Sequence, residues 1–212
     1  MSKIIPAILT KNIADLKNKL KQVQGLTDWV QIDIMDGVFV DNTSVTLEDI
    51  ANLELARNVS IEIHLMVLHP ETYFLKCQKA DIKRVIFHIE AAADVKNVLV
   101  QARKFDFKIG LALNPKTPVK EIVPYLSQID MALLMSVNPG LQGQKFIPET
   151  LNRIQGLREL APQLTIEVDG GINLDAIKSV NTAGADYLVV GSSLFENENI
   201  PKRFKELSQV AG

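Results

Sequence analysis

The chain has 212 residues, 47% of them hydrophobic, and 23 basic against 25 acidic side chains give a net charge of −2. These values exclude a disordered chain and predict one globular domain over 1–212 with a sizeable core. No basic block or stripe is present, which argues against a nucleic-acid partner. Cys77 is the only cysteine, so an internal disulfide and a four-thiolate zinc site are both excluded. The first residues form neither a signal peptide nor a membrane span, and no apolar run reaches the ~18 residues a span needs. The expectation is a soluble, cytoplasmic protein with no membrane partner.

Ile4–Leu9 reads as a first strand, and Ile13, Leu16, Leu20 and Val23 then recur at helical spacing. Trp29–Ile34 is a second strand, followed by a polar loop and a short helix near Leu47–Leu55. Val59–Val67 is a third, with Pro70 placed to open a helix. Arg84–His88 is a fourth, then a helix over Val95–Phe105. Lys108–Leu113 is a fifth, then a short helix over Val119–Leu126. Met131–Val137 is a sixth, and Pro148 opens a helix carrying Leu151, Ile154 and Leu157. Leu164–Val168 is a seventh, with a helix around Leu174–Val180. Tyr187–Gly191 is an eighth, and Pro201–Val210 closes the chain as a helix.

Most of these strands are near-continuous Val/Ile/Leu runs, as a parallel sheet covered by helices requires. Eight strand-then-helix units with short connections favour a closed α/β barrel, (β/α)8, over an open sheet. No glycine-rich dinucleotide turn follows the first strand.

In such a barrel the chemistry lies at the carboxyl ends of the strands. Gln31, Asp33 and Met35 share one face of strand two, opposite Ile32 and Ile34. An unpartnered buried polar group costs roughly 1–3 kcal/mol, and more for a charge, so Asp33 requires a metal, substrate, water or donor. Strand three supplies His64 and Met66, and strand seven ends in Asp169-Gly170-Gly171. Asp33, His64 and Asp169 are imidazole and carboxylate donors converging from three strands, a set that suits Zn²⁺, Mn²⁺ or Fe²⁺. Gly140 and Gly143, Gly170 and Gly171, and Gly191 with Ser192 follow three consecutive strands. Glycine lets backbone N–H groups approach an anion, and the last two loops are the usual phosphate site of a barrel. Met35, Met66 and Met135 are either core filler or the lining of a pocket.

Gln31–Asn42, His64–Val67, Leu113–Pro118, Met135–Phe146, Glu167–Gly171 and Gly191-Ser192 resemble the ribulose-phosphate 3-epimerase family, in order and spacing, from Pro6 to about Phe195. The resemblance implies a TIM barrel of the ribulose-phosphate-binding type and a divalent metal (Zn, Fe, Mn or Mg). It also implies a homo-oligomer and interconversion of D-ribulose 5-phosphate with D-xylulose 5-phosphate in the pentose phosphate pathway. Asp33 and Asp169 match the family's two catalytic aspartates, and both also match metal ligands beside His64. His64, Gly140, Leu141, Gln142, Gly143, Gly170, Gly171, Gly191 and Ser192 fall at substrate- and phosphate-binding positions. Acid/base groups on both faces suit epimerisation beside a carbonyl.

The chain departs from the family pattern in four places. Gln31 stands where the family has a histidine ligand, and Ala7 where it has a serine touching substrate. Val38 replaces a common histidine, and Gly140-Leu141-Gln142-Gly143 replaces Gly-Phe-Gly-Gly. An amide oxygen is a weaker ligand than imidazole for zinc-like ions, so the metal is expected to be held weakly or to be absent. The alternatives are an epimerase for another ketose phosphate and a weakly active or non-catalytic sugar-phosphate-binding relative. A decarboxylase of the orotidine-phosphate kind lacks support, because Glu62–Val67 has no Asp-x-Lys-x-x-Asp pattern. A phosphoribosyl isomerase would want an aspartate ending strand one, where Ala7, Leu9 and Thr10 stand.

Overall fold

Alternation along the strands decides the architecture. In the computed structural model, which describes residues 1–53 and 59–212, the strands are β1 (Lys3–Ile8), β2 (Trp29–Met35), β3 (Ser60–Met66), β4 (Arg84–His88), β5 (Lys108–Leu113), β6 (Met131–Met135), β7 (Thr165–Asp169) and β8 (Tyr187–Val190). They pair in parallel and in chain order, and β8 returns to β1, closing a TIM barrel. One side-chain set of each strand, for example Val30, Ile32 and Ile34 of β2, packs outward in the main hydrophobic core beneath the helices. The other set fills the barrel interior, where Ile5, Ala7 and Val189 cluster on one side and Ile86, Ala112, Met131, Leu133 and Met135 on another.

The helices are α1 (Ile13–Val23), α2 (Leu47–Ala51), α3 (Phe74–Lys79), α4 (Val95–Ala102), α5 (Thr150–Leu160), α6 (Leu174–Ala183), α7 (Ser192–Phe195) and α8 (Ile200–Ala211). Asn12 and Asn173 cap α1 and α6 by accepting from the first-turn N–H groups. The segment after β5 is a 3-10 helix, Val119–Gln128. Pro124 within it has no N–H to give to an α-helical ladder. Pro70 opens a single 3-10 turn, Pro70–Thr72, rather than α3 itself. The sixth strand stops at Met135, because Ser136 turns to donate its N–H and its hydroxyl to the Asp169 carbonyl. The short α7 is an addition to the sequence reading. Leu55, the expected end of the second helix, lies outside the described residues. No helix of the described residues is long and apolar enough to cross a membrane.

The lower barrel interior holds a buried charged group. Arg84 lies 3.1 Å from Glu62 and 3.4 Å from Glu167, with its guanidinium 4.2 Å from the Trp29 ring centroid and 5.2 Å from that of Tyr187. One guanidinium faces two carboxylates. Burial pushes the Glu62 carboxyl up to about 7, against the pull of Arg84.

Candidate active site

Strand register brings Asp33, His64 and Asp169 to one end of the barrel. Asp33 pairs with His64 between β2 and β3, and Asp169 pairs with Met135 between β7 and β6. A pocket opens over them at the carboxyl ends of the strands. It is lined by Ala7, Asp33, Met35, Met66, Met135, Asp169, Gly170, Gly171, Gly191 and Ser192, and by Gly140, Leu141, Gln142 and Gly143 of the loop after β6. Gln31 and His64 do not line it; both are fully buried beneath the carboxylates.

The Gln31 amide nitrogen donates to Asp33 Oδ1 at 2.9 Å and to Asp169 Oδ2 at 2.8 Å. Between two carboxylate oxygens only the NH₂ end of an amide is accommodated, and Gln31 Oε1 is left buried without a partner. His64 Nδ1 sits 3.4 Å from Asp33 Oδ1 and 3.5 Å from Asp169 Oδ2. Burial lowers the affinity of His64 for a proton, but Asp169 and Asp33 outweigh it and push its pKa up to about 9. Burial raises the Asp33 carboxyl; His64 opposes that rise and the Asp169 charge adds to it.

One donor atom from each of Asp33, His64 and Asp169 lies within 4.8 Å of the others. A nitrogen and two carboxylate oxygens so grouped form a donor set suited to a divalent cation, and the orphaned His64 Nδ1 is the nitrogen such an ion would engage. These residues therefore fit a divalent metal.

The glycine loops stand opposite. Gly170 (φ +114°) and Gly171 (φ +65°) hold left-handed backbone that glycine alone adopts readily. A Cβ on Gly170 would fall 2.3 Å from Val137 Cγ2, and one on Gly171 would fall 2.4 Å from the Phe146 nitrogen, so the loops after β6 and β7 are tightly packed, backbone against backbone at Gly171. Ser136 Oγ also donates to the Gly170 carbonyl at 2.6 Å. Asn42 donates to the Gly140 carbonyl at 2.8 Å, tying the loop after β2 to the one after β6.

Asp36, the other carboxylate of the β2 end, is a loop staple. It accepts from the N–H groups of Val38, Phe39 and Leu68. Burial raises its pKa, and these bonds outweigh that and hold it below the usual range.

His88 and Glu90 were not among the sequence-derived candidates. His88, the last residue of β4, is fully buried with its Nε2 2.8 Å from His64 Nε2. The usable signal was position: Arg84, Ile86 and His88 share a face, and His88 ends a strand. Burial lowers the His88 pKa to about 4, against the Glu90 contact that raises it.

The fold and this pocket define a TIM-barrel enzyme, with paired carboxylates over a buried imidazole beside glycine-rich loops. The chain belongs to the ribulose-phosphate 3 epimerase family, whose model matches residues 3–195. It is 33% identical over 202 residues to a ribulose-phosphate 3-epimerase of Schizosaccharomyces pombe, covering 93% of this chain and 89% of that one. It is 34% identical over 218 residues to one of Bacillus subtilis, covering 100% and 99%. Among solved structures, 3-hexulose-6-phosphate synthase from Salmonella typhimurium superposes with a TM-score of 0.76 at 15% identity, covering 99% of this chain and 98% of that one, which shows the shared fold.

Proposed function

We propose that this chain is a ribulose-phosphate 3-epimerase, an isomerase that interconverts D-ribulose 5-phosphate and D-xylulose 5-phosphate by proton transfer at C3. The observation that carries the reading is the pairing of Asp33 and Asp169, from β2 and β7, on one amide at the pocket floor. Inverting a carbon beside a ketone requires a base on one face and an acid on the other. Asp33 and Asp169 are assigned these roles. One is ionised and takes the C3 proton; the other carries a proton and delivers it to the opposite face, so the roles exchange with the direction of reaction. Burial raises the Asp33 carboxyl, with His64 opposing the rise and the Asp169 charge adding to it, which favours Asp33 as the group that carries the proton.

Backbone N–H groups of Gly170, Gly171, Gly191 and Ser192 are assigned to the substrate phosphate, with the Gly140–Gly143 loop closing over it. Anchoring the phosphate fixes which carbon lies between the carboxylates. Met35, Met66, Met135 and Ala7 give the reacting end an apolar wall that excludes water. Asp33, His64 and Asp169 would hold a divalent cation, with the Gln31 oxygen as a fourth donor once its amide turns. Bound there, such an ion would supply positive charge to the enediolate oxygens as a Lewis acid. Three oxygens and one nitrogen make a harder site than two imidazoles would, which favours Mn²⁺, Mg²⁺ or Fe²⁺ over Zn²⁺. Homo-oligomerisation belongs to the same reading by family resemblance, and a cytoplasmic location is proposed with it.

The test is steady-state turnover of ribulose 5-phosphate by metal-stripped protein with each of these ions added back, beside the 3-epimerisation of other ketose phosphates. Preference for ribulose 5-phosphate is expected. Faster turnover of a hexulose phosphate would assign the chain to another substrate.

A further inference from the structure

The buried His64–His88 pair poses a question of proton placement. The two rings are stacked, with centroids 5.0 Å apart and planes 24° from parallel, and their Nε2 atoms lie 2.8 Å apart. Only one proton fits between those nitrogens, so one ring donates and the other accepts. The far side of His88 decides which. Its Nδ1 is buried without a formed hydrogen bond, and the acceptor that faces it is Glu90 Oε2 at 3.4 Å. The other Glu90 oxygen accepts from the Asn114 N–H at 2.8 Å and from the Thr117 hydroxyl. A carboxylate whose other oxygen already accepts from two donors is an acceptor, and so a partner for an N–H. His88 therefore carries its proton on Nδ1 and presents a bare Nε2 to His64.

We propose that His88 and Glu90 are positioning residues that hold a proton on His64 Nε2 and so present His64 Nδ1 to Asp33 and Asp169. The relay runs inward from the loop after β5 to the pocket floor: Asn114 and Thr117 fix Glu90, Glu90 fixes the His88 tautomer, and His88 fixes the His64 ring. Arg153 holds the outer end, donating to the carbonyls of Asn114, Thr117 and Met135. Partners behind a ligating imidazole set its tautomer and its basicity. The part of this inference that concerns cation binding rests on the assignment of His64 as a ligand; the tautomer does not.

Two measurements test it. The first is ¹⁵N imidazole NMR of the metal-free protein, which has only three histidines, the third being the exposed His69. His88 should show a protonated Nδ1 and an unprotonated Nε2, and Glu90→Leu should erase that preference. A His88 protonated on Nε2 would overturn the proposal. The second is Mn²⁺ binding by metal-stripped protein, read by electron paramagnetic resonance. His88→Leu should weaken binding on the order of 10–100-fold. His88→Gln, whose amide oxygen can accept from His64 Nε2, should keep it within a few-fold. Equal loss in both variants would reduce His88 to a packing residue and overturn the proposal, as would unchanged affinity in a folded His88→Leu. If the unmodified protein binds no Mn²⁺, the cation reading of the site fails, and the His88 tautomer alone then decides this inference.

Discussion

Gln31 donates its amide across the barrel to the Asp169 carboxylate at 2.8 Å. With its second bond, to Asp33, this amide draws together two carboxylates that would otherwise repel. A histidine, which the family resemblance leads one to expect here, would present a lone pair rather than an N–H to a cation. Gln31 must therefore rotate before its orphaned Oε1 can act as a ligand, giving up both hydrogen bonds. The unmodified protein should bind Zn²⁺ more weakly than family members with histidine. Gln31→His should tighten binding about tenfold or more and raise epimerase activity, unless Ala7 and Gln142 have already weakened substrate binding. Zinc content after purification and metal affinity of the variant check this. Tight stoichiometric zinc in the unmodified protein, with no gain from Gln31→His, would contradict it.

The glycine loops should separate phosphate from metal. Gly171→Val places a side chain against the Phe146 backbone at a left-handed φ, so the loops after β6 and β7 must part. Binding of ribulose 5-phosphate should weaken strongly while Mn²⁺ binding holds. Gly191→Ala meets nothing nearer than 3.6 Å and should be much milder. Calorimetric titration of both ligands distinguishes the two, and loss of Mn²⁺ binding in Gly171→Val would show the roles to be misassigned.

The buried Glu62 gives a signature in stability. Its carboxyl is raised from 4.5 to about 7, chiefly by burial, with Arg84 and His64 pulling it down and Asp169 and Asp33 pushing it up. A raised folded-state pKa means that folding favours the protonated form. That contribution is fully present below pH 4.5 and is lost as the pH rises through about 7. Glu167 faces the same Arg84 and is raised as well, chiefly by burial. Thermal melts of metal-free protein should therefore show a shallower fall between pH 4.5 and 7 for Glu62→Gln than for the unmodified chain. Parallel curves would exclude a raised Glu62 carboxyl as a source of this pH dependence.

The barrel was legible because β4 and β5 are short apolar runs, two of eight that alternate with helical periods. Asp33, His64 and Asp169 were legible because two-residue alternation places polar groups on an interior face, where they require partners. The Gln31 bridge was not, because it depends on register between β2 and β7, strands far apart in the chain. His88 was read only as the end of β4. Its importance lies in Nε2 meeting Nε2 across the β3–β4 pair, and single-strand patterning carries no such distance. The 3-10 helix at Val119–Gln128 followed from Pro124, whose effect on helix type a hydrophobic period does not register.

The central claim is that Asp33 and Asp169 exchange the C3 proton from opposite faces. The most direct test follows loss of the C3–H signal of ribulose 5-phosphate by proton NMR in deuterated water, for the unmodified protein, Asp33→Asn and Asp169→Asn. The account predicts exchange at C3 with formation of xylulose 5-phosphate in the unmodified protein. In each variant both should fall by roughly 10²–10⁴-fold or more. Near-normal exchange with either aspartate replaced would contradict the two-base assignment.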